Sequence, residues 1–172
     1  MPPRTDTFEL SGLHLTAGEG RRLDVAVGIE PLSLGGERYS VEPSLVPAVL
    51  DVARTTHAGY SLRFRFTANL TGPCMRCLGP AAPSFDVDAR EIWQPGEGEE
   101  LTSPYLQNEL VDLQSWARDA LALALPTVLV CREDCPGLCP VCGANLGEAG
   151  PDHAHERPMD SRWAKLSELR FD

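Results

Sequence analysis

The sequence predicts an α+β fold: an N-terminal antiparallel β-sheet followed by a helical, cysteine-rich C-terminal part. Three observations carry this expectation. In GYSLRFRFTANL (59–70), apolar and polar residues alternate without a break, the period of a half-buried strand. In DLQSWARDALALALP (112–126) the apolar residues recur at steps of three and four, the period of an amphipathic helix. All six cysteines lie in two short turn-rich stretches, GPCMRCLG (72–79) and CREDCPGLCPVCGANL (131–146).

Taken in order, the chain opens with a strand near 7–10 and a loop broken by Gly18 and Gly20. LDVAVGI (23–29) alternates Leu23, Val25, Val27 and Ile29 with small or polar residues, which predicts a second strand. Gly35-Gly36 marks a hairpin turn inside PLSLGGERYSVEP. VPAVLDVARTT (46–56) is rich in β-branched residues and favours strand, with Pro47 pointing to an edge or a strand start. The strand of 59–70 puts Tyr60, Leu62, Phe64, Phe66, Ala68 and Leu70 on one face. PSFDVDAREIW (83–93) follows with Phe85, Val87 and Ala89 inward, and the shift to Ile92 and Trp93 suggests a bulge. Strand, CMRC loop and strand together predict a hairpin with the cysteine pair at its tip.

Residues 94–105 are acidic and turn-rich, as expected of a loop or linker. In the helix, Leu113, Trp116, Ala117, Ala120, Leu121 and Ala124 form the apolar stripe, Asp112 is the N-cap and Pro126 the stop. TVLV (127–130) reads as a short buried strand leading to Cys131. A loose stretch holds His153 and His155, and SRWAKLSEL (161–169) reads as a last helix capped by Asp160. The expected organisation is therefore a β-rich part over 1–100 and a part over 101–172 made of helix, knuckle and C-terminal helix. Shared metal ligands would pack the two as one domain.

Composition narrows the function classes. The formal net charge is −10 and the pI near 4.8, so the bulk field repels nucleic acid and any RNA contact needs a local basic patch. MPPRTDTFEL has no apolar run of signal-peptide length. No window reaches the roughly 18 apolar residues of a membrane helix. A cytoplasmic chain with reduced thiols is expected, which favours metal over disulfides.

Two cysteines separated by two residues let one tight turn aim both sulfurs at one ion, and two such pairs complete a tetrahedral zinc site. Gly143, just after Cys142, suits the left-handed backbone that turns amide N–H groups toward the sulfurs. Two partitions of ligands are open. In the favoured one, Cys74, Cys77, Cys131 and Cys135 form a first site, and Cys139, Cys142, His153 and His155 a second. In the alternative, Cys74 and Cys77 join Cys139 and Cys142. Either way a closed four-ligand sphere is structural, leaving no position for substrate.

Arg63 and Arg65 on the polar face of the best strand, with Arg76 in the CMRC loop, are candidates for contact with an RNA backbone. Arg162, Lys165 and Arg170 are a weaker second set. No paired carboxylates suggest acid–base catalysis. A CMRC thiol–disulfide enzyme is the competing enzymatic reading, but redox CxxC pairs open a helix and this pair lies between strands.

The CMRC pair after an alternating strand, DLQSWARDALALALP, the CREDCPGLCPVCGANLG run and the closing DSRWAKLSEL together resemble the YceD family, the large ribosomal RNA subunit accumulation proteins. The resemblance spans roughly residues 20–172 and is specific in GPCMRCL and from 110 onward; the form is similar to that of high-GC Gram-positive bacteria. It implies a non-enzymatic role in 23S ribosomal RNA accumulation and large-subunit maturation. The implied partner is that RNA, its precursor or a large-subunit ribosomal protein. Many relatives carry a Cys-x-Cys pair after the CPxCG knuckle, where this chain has His153-Ala154-His155. Two imidazoles can serve zinc where two thiolates did. An adaptor that binds a basic ribosomal protein or a processing enzyme is the remaining class, and the acidic charge suits it.

Overall fold

A computed structural model describes residues 2–96 and 101–155. Among these residues the fold is mostly antiparallel β-sheet with one α-helix of 12 residues. The helical part described is small, so the α+β expectation is met loosely, and the helix expected over SRWAKLSEL lies outside the described residues.

The strands are β1 (Thr7–Glu9), β2 (Gly20–Gly28), β3 (Leu32–Leu34), β4 (Glu37–Glu42), β5 (Leu45–Arg54), β6 (Tyr60–Pro73), β7 (Pro80–Ala81), β8 (Ser84–Trp93), β9 (Leu106–Gln107) and β10 (Leu110–Asp112), followed by helix α1 (Leu113–Ala124). The long strand β6 is the hub. It pairs with β5 over Tyr60–Phe66, with β8 over Tyr60–Asn69, and beyond these with β4 and β7. Its inward face is the one read from the alternation: Tyr60, Leu62, Phe64, Phe66, Ala68 and Leu70 are all buried. β2 completes the sheet outside β5. A second, three-stranded sheet is ordered β1-β10-β9, and its β9–β10 hairpin gave no clear sequence signal because each arm is only two or three residues long.

Several expectations need correction. Pro47 is not on an edge strand: β5 lies between β2 and β6. Proline is tolerated there because pairing with β6 begins one residue later, at Ala48, so one side of the ladder is still open. No bulge occurs at the end of β8, whose register with β6 runs unbroken from Ser84 to Trp93. Trp93 keeps phase with Phe85, Val87 and Ala89 and stacks on Tyr60 at 6.3 Å, while Ile92 faces solvent. TVLV is not a strand. Only Leu129 is buried there, and its carbonyl accepts the backbone N–H of Met75 at 2.8 Å. Ala124, on the last turn of α1, is exposed.

One apolar cluster runs from Leu10 to Leu129 and includes Leu113, Trp116, Ala117, Ala120 and Leu121 of α1. Trp116 is the keystone, its ring 5.1 Å from that of Phe64 and 6.1 Å from that of Tyr105. Asp112 caps α1 as expected, accepting the N–H of Ser115 at 2.9 Å. The two sheets are tied by Glu109, which accepts the Tyr60 hydroxyl at 2.9 Å and Arg54 Nη1 at 3.0 Å. At the far end of β6, Tyr39 lies across Gly72, where any Cβ would collide with its ring, and donates its hydroxyl to the Pro73 carbonyl at 2.8 Å. This fixes the strand end from which the first cysteine pair departs.

Candidate metal centres

The CMRC loop turns at the tip of the β6–β8 hairpin. The Cys74 N–H donates to the Gly79 carbonyl at 2.7 Å, and the Leu78 N–H donates back to the Cys74 carbonyl at 2.9 Å. The CPVC loop repeats this ring. There the Cys139 N–H donates to the Ala144 carbonyl at 2.8 Å, and the Gly143 N–H to the Cys139 carbonyl at 2.8 Å. Gly143 has φ 73°, the left-handed backbone expected from its place after Cys142, and Leu78 holds the matching position with φ 61°. Each ring turns amide N–H groups onto the first sulfur of its pair; the Arg76 N–H stands 3.4 Å from Cys74 Sγ.

These two knuckles serve separate clusters. Cys74, Cys77, Cys131 and Cys135 bring their sulfurs within 4.8 Å of one another. The Cys74–Cys135 and Cys77–Cys131 sulfur pairs are each 3.8 Å apart. Four sulfurs about 2.3 Å from a tetrahedral zinc would stand about 3.8 Å from one another, whereas a disulfide needs about 2.05 Å. Cys139, Cys142, His153 and His155 form the second group, also within 4.8 Å. His153 Nε2 and His155 Nε2 stand 3.5 and 3.2 Å from Cys142 Sγ, and 3.1 Å from each other. Both clusters could hold a metal ion, and Cys139 and Cys142 lie with His153 and His155 rather than with Cys74 and Cys77.

The electrostatics suit a cation. Burial raises the Cys74 thiol, but the backbone N–H groups of Cys77, Arg76 and Cys131 outweigh it and hold the thiol down to about 6. Cys139 is likewise held down to about 6, by the Cys142 N–H first, then the His153 ring and the Val141 N–H. Cys131 is pushed up to about 12 by burial and by the crowding thiols of Cys135, Cys77 and Cys74. Although Cys131 as a residue is exposed, its sulfur faces the other three, so burial still governs it. Metal binding draws protons off such thiols and couples loading to folding.

Between the clusters, Gly137 at φ 78° packs its Cα side against the Arg76 carbonyl; a Cβ there would lie 3.1 Å from that oxygen. Arg76 Nη1 donates to the carbonyls of Cys135 at 3.1 Å and Glu133 at 3.3 Å. The arginine thus staples the CMRC loop to the second loop, a role the sequence did not show.

The three arginine candidates do not form one patch. Arg63 makes a two-pronged pair with Asp88, and Arg65 pairs with Asp51 at 2.8 Å. Arg76 stands beyond the strand end, and the stretch of β6 from Arg63 to Pro73 spans roughly 30 Å at about 3.3 Å per residue. The aspartates were legible as residues, but their pairing depends on strand register, which alternation alone does not set. The second set, Arg162, Lys165 and Arg170, lies outside the described residues. The CMRC pair opens no helix, as the comparison with thiol–disulfide enzymes requires it to do. Among the described residues no helix is long and apolar enough to cross a membrane.

Comparison with known proteins finds relatives in mycobacteria. Uncharacterized proteins of Mycobacterium bovis and Mycobacterium tuberculosis are each 34% identical over 148 residues, covering 81% of this chain and 69% of the relative. An uncharacterized protein of Mycobacterium leprae is 32% identical over 109 residues, 60% of this chain and 49% of its own length. No solved structure matches the chain. The family described as large ribosomal RNA subunit accumulation protein YceD matches residues 62–170, from β6 through both cysteine clusters. With more than half of its length inside that match, the chain belongs to the YceD family.

Proposed function

We propose that this protein is a non-enzymatic ribosome-biogenesis factor that supports 23S ribosomal RNA accumulation and large-subunit maturation, held in shape by structural zinc. Family membership is the observation that carries the biological role. The 3.8 Å sulfur pairs of the first cluster and the close approach of four ligand atoms in each cluster support the metal. Cys74, Cys77, Cys131 and Cys135 are the first zinc site; Cys139, Cys142, His153 and His155 are the second. Thiolate and imidazole ligands select zinc over hard cations such as calcium or magnesium. Four protein ligands close the sphere, so the ions position chain rather than activate water. The β-rich part over 1–100 and the part over 101–172 act as one domain, because the first site takes two ligands from each.

The chain works in the cytoplasm, where ribosomal RNA is made and its thiols stay reduced. A second reading has a specific observation in its favour. The arginines proposed for RNA, Arg63 and Arg65, are already paired with aspartates, and the net charge is −10. An adaptor gripping a basic ribosomal protein would act on the same RNA indirectly. Depleting the protein in its host and measuring the ratio of large- to small-subunit ribosomal RNA tests the role: a selective fall supports it, and an unchanged ratio removes it. Crosslinking to RNA then separates direct contact from the adaptor.

A further inference from the structure

We propose that a row of three arginines on the outer face of the larger sheet, Arg22, Arg63 and Arg90, binds the phosphate backbone of RNA. The proposal deepens the biogenesis reading, and its choice of RNA rests on that reading. Strand register builds the row. Arg22 of β2 lies opposite Asp51 of β5, Asp51 opposite Arg63 of β6, and Arg63 opposite Arg90 of β8. At about 4.8 Å per strand, the row is about 14 Å long. All three side chains stand on the face away from the core and are 67%, 39% and 69% exposed. Like charges set directly opposite one another, as Arg63 and Arg90 are, weaken a sheet. The fold gains nothing from that placement, whereas a bound anion does.

Ion pairing does not cancel the row. Asp51 is shared by Arg22 at 2.6 Å and Arg65 at 2.8 Å, and Asp88 is shared by Arg63 and Arg90. Two carboxylates thus serve four guanidinium groups. Asp51 raises the pKa of Arg22, and the charge of Arg63 opposes it, so the two arginines share one field. The other carboxylates of this face, Asp24 and Asp86, stand one and two rows further along the strands, on the side away from Gly20. On the near side the next row is Gly20, Ala53, Ser61 and Ile92, which carries no charge. Its small residues leave an open groove of about 320 Å³ whose walls include Arg21, Arg22, Asp51 and Arg63, three cations against one anion. A guanidinium has five N–H donors, and Arg22 gives Asp51 its Nε–H. The rest of that planar fork matches phosphate. On a chain of net charge −10, this is the local basic patch that contact with an RNA backbone needs.

The experiment measures binding of the full-length, zinc-loaded protein to a transcript of the host's large-subunit ribosomal RNA between about 50 and 200 mM salt. Three phosphate contacts predict a slope of log affinity on log salt of about −2 to −3. Arg22→Gln and Arg90→Gln are each expected to make that slope shallower by about 0.7–0.9, and the double variant to bind at least about ten-fold more weakly. Arg90→Lys keeps the charge and should keep the slope. Arg118→Gln, on helix α1 across the core from this face, should bind as wild type does. A photo-crosslinking amino acid in place of Ile92, beside the row, is expected to capture RNA in the host, and this readout needs no arginine variant to fold. The proposal is overturned if wild type does not bind the transcript, if the double variant matches wild type, or if Arg118→Gln loses as much. Capture of protein without RNA at position 92 overturns it as well. If depletion of the host copy leaves the RNA ratio unchanged, the biogenesis reading falls, and the salt slopes still decide the arginine row.

Discussion

Gly143 has open space around the position of a Cβ, so the demand there is on the backbone alone. Gly143→Ala is therefore expected to destabilise the zinc-loaded protein by about 1–2 kcal/mol, the cost of a left-handed residue with a side chain, read as a shift in the urea midpoint. Glu109 is a second single-residue lever. Its hydrogen bonds from Arg54 and then Tyr60 hold its carboxyl below the ordinary 4.5. A carboxylate lowered in the folded state contributes stability above its unfolded value and loses it as pH falls through the folded one. Below pH 4.5 the wild type should thus lose stability faster than Glu109→Gln, and unfolding midpoints measured across that window check it. The two residues also differ in legibility. The glycine announces itself by following a CxxC pair, whereas the value of Glu109 comes from partners 49 and 55 residues away.

At the scale of elements, periodicity located β6 and α1 because each has one dry face long enough to repeat. The same reasoning failed where a segment was too short for a period to show. TVLV is apolar enough for a strand, yet among the described residues it finds only one backbone partner, Met75, and stays irregular. The β9–β10 hairpin turns through Asn108 and Glu109, both at positive φ, and an Asn-Glu pair is a weak sign for that turn. The bulge expected near Trp93 arose from reading Ile92 as inward, when the unbroken register leaves it outside. Helix α1 offers two graded tests. Asp112→Ala removes the cap on Ser115 and should cost about 1 kcal/mol. Trp116→Ala empties the contact between helix and sheet and should cost about 3–5 kcal/mol. Thermal melts of both variants check the order, and a cap variant as damaging as the core variant would contradict it.

For the molecule as a whole, the two clusters differ in what they join. The first unites residues separated by 54 and 61 positions; the second gathers ligands from a single stretch between Cys139 and His155. Cys135→Ser should lower the melting temperature of the whole chain, because it opens the link between the β6–β8 hairpin and the segment after α1. His155→Ala should leave that melt nearly unchanged while lowering bound zinc from two ions per chain to one. Elemental analysis with calorimetry on the same samples tests both, and an equal loss of stability in the two variants would show that the centres are not independent. The thiol pairs were legible as pairs; which pair joins which stayed between two partitions, because that depends on where the strand β6 ends in space.

That separation along the chain sets a timetable during synthesis. At roughly 5–20 residues per second, the ribosome takes about 3–11 s to pass from Cys77 to Cys131, a gap of 54 residues. Once Ser84–Trp93 have emerged the hairpin strands can pair, while Cys74 and Cys77 wait without their partners, open to oxidants and to stray copper. The second centre has no such wait, since its four ligands leave the ribosome almost together. On that timetable, oxidative stress is expected to mark newly made chains at CMRC first.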